Sequence, residues 1–222
     1  DTGQTSCDYA EAGYYSPGTV GGANVDSSVT TVATSDIPCA AGTYSAQGTT
    51  LSTGLSGAAS CTDASAGHYS NGTTIVNGVV TFTAIDHTAC PEGTYQASAG
   101  QPSCDDADAG YFSSGTTIVN GAVTNLANSQ TPCAAGTYQA ATGQTDCDGA
   151  DAGYYSAGTV GGVNVDSSVT TVATSEIPCA AGTYQASGMQ SSCDDTDEGY
   201  YSLGTTIVNG VVTNTATSQT AC

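Results

Sequence analysis

A cysteine-anchored phrase returns along this chain about every 43 to 46 residues, and this period constrains the fold more than any other feature. The phrase Cys-Ala-Ala-Gly-Thr-Tyr-Gln-Ala, with a second cysteine 14 positions after the first, begins at Cys133 and again at Cys179. A variant begins at Cys90, and a copy stretched by eight residues begins at Cys39. Such a period is typical of arrays that stack one supersecondary unit. We therefore expect tandem repeats, not a domain built around one catalytic pocket.

The period divides the chain into five repeats of two subtypes, which differ between the cysteine pairs. The long subtype contains Gly-Thr-Val-Gly-Gly, and the short one contains Gly-Thr-Thr-Ile-Val-Asn-Gly. We expect a window of a longer repeat protein, because Cys222 stands where the next phrase should open. The predicted repeats are residues 1–60 (repeat 1, long, with an expanded cysteine loop), 61–103 (repeat 2, short), 104–146 (repeat 3, short), 147–192 (repeat 4, long) and 193–222 (partial repeat 5, short).

The short subtype carries a hairpin signal. Asn77-Gly78, Asn120-Gly121 and Asn209-Gly210 each lie between β-branched residues, and an Asn-Gly pair tolerates the positive φ values of a type I′ turn. In the long subtype the turn is predicted at Gly161-Gly162. Its predicted apolar positions are Val163, Val165, Val169 and Val172.

The predicted fold class is all-β or irregular. Trp is absent and Phe occurs twice, so a ~45-residue repeat cannot build a large core and needs disulfides or neighbours. No 3.6-residue apolar period indicates a helix. We predict small disulfide-stapled tandem repeats with short β-hairpins, forming an elongated array in which each unit packs its tyrosines and valines against the next.

Charge excludes several functions. The chain has no Lys or Arg against 20 Asp and Glu, for a formal net charge of −20. Nucleic-acid binding requires cationic side chains that neutralise phosphates, so it is excluded. Membrane insertion is not expected, because no apolar run reaches the ~20 residues of a span.

Enzyme chemistry is not expected either. The two histidines, His68 and His87, replace residues of other types in the other repeats and have no recurring partner, so we interpret them as surface or packing variants. Acidic runs at 105–108 and 194–198 are the one candidate for Ca²⁺, which takes oxygen ligands. They match no EF-hand spacing, and we interpret them as solvated linkers. No cofactor or metal site is therefore predicted.

The cysteine count indicates an oxidising compartment. Ten cysteines recur at regular spacing, as in disulfide frameworks of extracellular proteins. Zinc sites need close pairs of ligands, whereas the nearest cysteines here are 14 positions apart. We expect disulfides and an extracellular or cell-surface location.

The phrase Cys-x-x-Gly-Thr-Tyr, followed by Gly and Cys, resembles the ephrin-receptor-like and TNF-receptor-like cysteine-rich modules of extracellular proteins. It is also similar to repeats of ciliate surface immobilisation antigens and of algal flagellar-hair (mastigoneme) proteins. Two cysteines of that pattern are missing from every repeat here. Their places hold Ala10, Ala64, Ala107, Ala150 or Thr196, and Asp36, His87, Gln130, Glu176 or Gln219.

The resemblance implies that the two missing cysteines were bonded to each other, so that the retained ones pair across the short loop. The implied pairs are Cys39–Cys61, Cys90–Cys104, Cys133–Cys147 and Cys179–Cys193, with Cys7 and Cys222 as open half-pairs. A competing scheme pairs across the hairpin segment and uses all ten cysteines. Its pairs are Cys7–Cys39, Cys61–Cys90, Cys104–Cys133, Cys147–Cys179 and Cys193–Cys222.

Two functions fit these features. The first is a structural subunit of an extracellular filament, flagellar hair or cell-surface coat, whose partner is itself, either as a homopolymer or through adjacent repeats. The alternative is a ligand-binding or antigenic ectodomain, in which the insertion 49–56 or the histidine-containing repeat diverges for recognition. Asn71 is the candidate N-glycosylation site, and the Ser/Thr tracts at 27–35 and 167–175 are candidates for O-glycans.

Overall fold

The computed structural model describes residues 12–15, 37–46, 60–160 and 172–222. The chain divides into two compact units. Unit 1 comprises Asp1–Cys90 and Gln96–Cys104, and unit 2 comprises Pro91–Tyr95 and Asp105–Cys222. The predicted turn at 161–162, the valines at 163, 165 and 169, the insertion 49–56 and Cys7 lie outside the described residues.

The described residues form short strands and no helix, which confirms the predicted all-β class. Unit 1 contains β1 (Tyr14–Tyr15), β2 (Ile37–Pro38), β3 (Thr43–Tyr44), β4 (Thr62–Asp63), β5 (His68–Tyr69), β6 (Thr74–Val76), β7 (Val79–Phe82) and β8 (Thr88–Ala89). Unit 2 contains β9 (Thr94–Tyr95), β10 (Asp105–Asp106), β11 (Tyr111–Phe112), β12 (Thr117–Val119), β13 (Ala122–Asn125), β14 (Thr131–Pro132), β15 (Thr137–Tyr138), β16 (Asp148–Gly149), β17 (Tyr154–Tyr155), β18 (Ile177–Pro178), β19 (Thr183–Tyr184), β20 (Asp194–Asp195), β21 (Tyr200–Tyr201), β22 (Thr206–Val208), β23 (Val211–Asn214) and β24 (Thr220–Ala221).

In the described part of the chain these strands pair into two-stranded antiparallel sheets of three kinds. In the first kind, the aromatic pair after Gly pairs with the residues before a cysteine, as in β17–β18. In the second, Thr-Tyr pairs with the residues after the next cysteine, as in β15–β16. The third kind is the Asn-Gly hairpin, β6–β7, β12–β13 and β22–β23.

The three hairpins have the predicted turn. Asn77, Asn120 and Asn209 have φ of 52°, 52° and 53°, and the glycine after each has φ of 77°. Two consecutive positive φ values define a type I′ turn, whose twist matches that of the flanking strands. Each hairpin also has an irregular register at its base, as between Thr117 and Ile118, which the sequence pattern did not indicate.

Four disulfides close the short loops of the repeats. They are the pairs that the resemblance implied: Cys39–Cys61 and Cys90–Cys104 in unit 1, and Cys133–Cys147 and Cys179–Cys193 in unit 2. The first cysteine of each pair is 1% exposed. Because these eight cysteines are bonded across the short loops, none of them is available to the competing hairpin-spanning scheme.

The core differs from the expected packing of tyrosines and valines. Among the described residues, the buried apolar side chains are alanines and the first cysteine of each disulfide. The hairpin valines lie at the surface, and most of the tyrosines are half-buried. The expectation that valines form the contact between repeats is therefore wrong for the described residues, because the backbones of neighbouring repeats approach too closely to admit them.

In both units, a threonine hydroxyl connects its own repeat to the preceding repeat through hydrogen bonds. In unit 2, Thr159 Oγ1 donates to the carbonyl of Gly110 at 2.7 Å and accepts from the amide of Ala173 at 3.0 Å. In unit 1, Thr73 Oγ1 likewise donates to Gly13 at 2.6 Å and accepts from Ala84 at 3.1 Å. One hydroxyl thus satisfies two backbone groups that the close contact removes from water.

In three copies of Gly-Thr-Tyr, the glycine lies directly against the next repeat. A Cβ on Gly136 would lie 2.2 Å from the carbonyl oxygen of Met189, and one on Gly93 would lie 2.2 Å from that of Gly143. Both glycines also have positive φ, +89° and +81°. These positions exclude a side chain for two independent reasons, one conformational and one steric.

We predict that Gly136→Ala destabilises the chain far more than Gly182→Ala. Both residues have φ near +85° and so incur the same ~1–2 kcal/mol for a left-handed L-residue. A Cβ on Gly182 meets nothing within 4 Å, whereas Gly136→Ala adds overpacking that costs a further ~1–3 kcal/mol. Thermal unfolding followed by circular dichroism measures the difference. Equal losses for the two variants would show that the close backbone contact does not occur.

Candidate functional site

The Asn-Gly hairpins expose apolar side chains in each copy. In unit 1, Val76 and Val79 are 55% and 63% exposed, and in unit 2 Val208 and Val211 have the same two values. The segments 73–83, 116–126 and 205–215 contain no charged residue. Within the described chain each hairpin has two strands only, so each strand retains an unpaired edge. Exposed β-branched edges without charge are the usual template for strand addition.

A second recurring feature lies where the resemblance places the missing cysteines. Gln130 occupies one of these positions and Ala107 the other, and Gln130 bonds the residue next to Ala107. The amide of Asp108 donates to Gln130 Oε1 at 2.6 Å, and Gln130 Nε2 donates to Asp108 Oδ2 at 2.7 Å. Asp197 and Gln219 make the same two bonds. A pair of hydrogen bonds thus connects the residue after one missing-cysteine position with the residue at the other, where a disulfide is absent. We call this pair the bridge.

Repeat 4 has a more acidic form of this bridge. The amide of Asp151 donates to Glu176 Oε2 at 2.7 Å. Burial, followed by the Glu176 and Asp151 carboxylates, raises the pKa of Tyr154. The pKa of Tyr138 is raised in the same way, first by burial and then by the carboxylates of Glu176, Asp148 and Asp151. The bridge therefore places negative charge beside two half-buried phenols.

Repeat 2 departs from this pattern, because two histidines come together there. His68 occupies the first aromatic position, His87 occupies the position of Gln130, and Ser65 occupies that of Asp108. The imidazole centroids of His68 and His87 are 4.2 Å apart, inclined by 46°. Tyr44 packs edge-on against His87, with centroids 4.9 Å apart. These ring contacts agree with the interpretation of the histidines as surface or packing variants, but the sequence did not indicate that the two histidines contact each other.

The two histidines have different environments. His68 is 5% exposed, and its Nδ1 lies 3.3 Å from the carbonyl oxygen of Ala66 and 3.4 Å from Ser65 Oγ. The Nδ1 atom of His87 is buried without a hydrogen-bond partner. Burial and the neighbouring His68 lower the pKa of His87, while the Asp86 carboxylate opposes that shift. The setting of His87 therefore disfavours protonation of its imidazole.

One sequence signal could have revealed this pair. In repeat 2, His87 replaces the residue at one end of the bridge and Ser65 replaces the usual Asp at the other end, while His68 replaces the first aromatic residue. The alignment of repeats shows these three changes together. It does not show that the positions are in contact, which depends on the pairing of β5 with β8, where His68 lies opposite Ala89.

The acidic runs do not form a metal centre in the described segments, where no group of three or more His, Cys, Asp or Glu is placed to hold an ion. Asp108 and Asp197 instead accept hydrogen bonds from Gln130 and Gln219. Asp105 and Asp106 lie in β10, paired with β9. The described residues include no helix long and apolar enough to cross a membrane.

The remaining candidate residues lie at the surface. Asn71 is exposed, as an acceptor of a glycan must be. Cys222 is exposed and has a free thiol. Compared with models of protein families and with curated proteins, the chain matches none.

We predict that Glu176→Gln lowers the pKa of both Tyr138 and Tyr154, because the variant removes a carboxylate that opposes ionisation of each. Absorbance at 295 nm measures this, since the chain has 13 tyrosines and no Trp. In the variant, about two of the phenols should ionise at lower pH than in the unchanged chain, and the absorbance difference between the two titrations should have the size expected for two tyrosines. Gln already occupies this position in repeats 3 and 5, so the variant should fold.

Glu198→Gln is the matched control, because it removes an exposed carboxylate that does not shift the pKa of Tyr138 or Tyr154. The raised pKa values of Tyr138 and Tyr154 also affect stability at high pH. As the pH rises above about 10, tyrosines of the unfolded chain ionise while these two phenols of the folded chain stay protonated, so the folded state loses stability. A Glu176→Gln titration identical to that of Glu198→Gln would contradict the described bridge.

Proposed function

We propose that this chain is a structural subunit of an extracellular filament, flagellar hair or cell-surface coat, and that copies of it self-assemble through the Asn-Gly hairpins. The observation that carries the proposal is the recurrence of an exposed, uncharged, apolar hairpin in three repeats. Isolated two-stranded hairpins are marginal in water and gain stability from a further strand or a covering face. A second copy supplies a hairpin of the same kind.

The distribution of charge supports assembly at the hairpins. Each copy carries a net charge of −20 and no cationic side chain, so copies repel one another wherever carboxylates face each other. The hairpin segments contain none of these carboxylates. Two copies therefore meet with the least repulsion at the hairpins, and salt should promote the contact by screening the rest of the surface.

The internal construction of each unit supports a mechanical role. Threonine hydroxyls bond carbonyl groups one repeat away, and glycines allow backbone contact between repeats. Each of the four described disulfides joins one repeat to the next, and closing a loop of about 15 residues contributes roughly 3 kcal/mol in the chain-entropy model. Such units resist local unfolding without a large apolar core, and a coat or hair that is exposed to mechanical force requires this resistance.

The cysteines support the proposed extracellular location. Four disulfides persist in oxidising compartments, and the phrase that closes them resembles extracellular cysteine-rich modules and mastigoneme-type surface proteins. Asn71 is exposed on unit 1 and available to a glycan in that compartment. These features support a location of the proposed assembly outside the cell.

We predict that introducing Asp at Val76, Val119 and Val208 together abolishes self-association. Each valine is more than half exposed, so the fold should survive, while a charge on each hairpin creates repulsion at the contact. Sedimentation velocity at low and high salt measures the effect. The matched control places three Asp at exposed positions outside the hairpins, Ile85, Ala140 and Leu203.

The unchanged chain and the control should associate, and more strongly at high salt, whereas the hairpin variant should remain monomeric. Circular dichroism checks that all three are folded. Association of the hairpin variant equal to that of the control would refute the hairpins as the contact. A monomeric unchanged chain at high salt and high concentration would refute self-assembly itself.

One observation favours the second candidate, a ligand-binding or antigenic ectodomain. Repeat 2 alone carries the contacting pair His68 and His87, and a recognition module is expected to diverge in one repeat. Negative-stain electron microscopy of the native material, before and after reduction, separates the two functions. Regular filaments that loosen on reduction support the structural function. Discrete particles in both conditions support the ectodomain.

A further inference from the structure

We propose that His68 and His87 form a binding site for a divalent transition-metal ion with an affinity for imidazole, Zn²⁺ being the probe of choice. The site belongs to unit 1 and is independent of self-assembly through the hairpins. It rests on the position of the two rings, on an unpaired buried nitrogen and on the orientation of the second imidazole.

The unpaired nitrogen is Nδ1 of His87. This atom is buried and has no hydrogen-bond partner. Buried polar atoms in folded proteins are nearly always paired, and an exception calls for an unrecorded partner such as an ion. A neutral imidazole carries a lone pair on one ring nitrogen, so in the tautomer protonated at Nε2 the His87 Nδ1 atom is a free metal ligand.

The contacts of His68 leave a lone pair on its other ring nitrogen. Nδ1 lies 3.3 Å from the carbonyl oxygen of Ala66, an acceptor that favours a proton on Nδ1 and leaves the lone pair on Nε2. Histidines that bind metals ordinarily donate their second ring N–H to a carbonyl or carboxylate in this way, which fixes the tautomer and the ring. His68 is also 5% exposed, so its ring is held in place by packing.

The separation of the rings is close to that of two imidazoles on one shared ion. With Zn–N bonds of ~2.0–2.1 Å, two imidazoles at the tetrahedral angle around one ion have centroids about 5 Å apart. The observed separation is 4.2 Å. Binding one ion therefore requires the two rings to rotate and their centroids to move apart by about 1 Å.

The surroundings select the class of ion. Two imidazoles suit Zn²⁺, Cu²⁺ or Ni²⁺, whereas Ca²⁺ and Mg²⁺ require oxygen ligands. The described residues contain no third His, Cys or acidic ligand grouped with the pair, so water completes the coordination. Asp86 accepts a hydrogen bond from the amide of His87 at 2.8 Å, and its charge favours a cation nearby.

The sibling repeats provide the controls. At the position of His68 repeat 3 has Tyr111, and at that of His87 it has Gln130. His68→Tyr and His87→Gln therefore place in repeat 2 residues that the same fold already accommodates. Each variant removes one imidazole and retains the other as a reporter.

The experiment is a Zn²⁺ titration followed by proton NMR of the imidazole C–H signals, which come from these two histidines only. Cys222 has a free thiol and is replaced by Ser throughout, because a free thiolate is itself a zinc ligand. Cys7 is replaced with it, so that only the eight disulfide-bonded cysteines remain. The same titration with Ca²⁺ measures binding to carboxylates. We expect the signals of both histidines to shift together and saturate at one Zn²⁺ per chain, with no response to Ca²⁺.

In His68→Tyr and in His87→Gln, the remaining histidine should require at least about tenfold more Zn²⁺ for the same shift, as expected when a site loses a ligand. Circular dichroism verifies that both variants are folded. Signals that do not move in the unchanged chain overturn the proposal. So does an unchanged affinity in either variant, which would show that one imidazole and nearby carboxylates suffice.

Discussion

The backbones of neighbouring repeats lie in direct contact, and most other features of each unit depend on this. At Gly136 there is no room for a single methyl group beside the carbonyl of Met189. Such an approach removes peptide groups from water, and it is stable only where they are paired. A threonine hydroxyl provides that pairing. It donates a hydrogen bond to a carbonyl of the preceding repeat and accepts one from an amide of its own repeat.

The close contact explains the composition of the core. Among the described residues, the interior of each unit contains alanine, serine and cystine but no valine or tyrosine. The larger apolar side chains lie exposed on the hairpins or half-buried in the two-residue strands. Buried polar side chains then complete the interior. Ser156 donates to the carbonyl of Thr137 at 2.7 Å and Gln139 to that of Asp146 at 3.0 Å. Hydrogen bonds and disulfides replace the apolar burial that larger domains use.

The same site in each repeat carries different chemistry on one backbone geometry. It is an Asp–Gln pair in repeats 3 and 5 and two acidic residues in repeat 4, whereas in repeat 2 it is Ser65 and His87, with the His68 ring against that of His87. The strands are already connected nearby by the disulfide and by ladder hydrogen bonds, so the bridge is free to vary. Variation at a structurally secured position is how a repeat array gains a distinct site without loss of its fold.

The sequence by itself determined the period, the all-β class and the type I′ hairpins, because these depend on local residues such as Asn77-Gly78 and on recurring cysteines. The cysteine pairing came from a resemblance and agrees with the structure, since residue spacing alone left two schemes open. Contacts between repeats were decided only by the tertiary structure. It placed valines such as Val79 outside and alanines such as Ala64 inside, and it brought His68 to His87 across 19 residues of chain. Composition and periodicity do not encode how closely two backbones approach, and that distance determined which side chains could be buried.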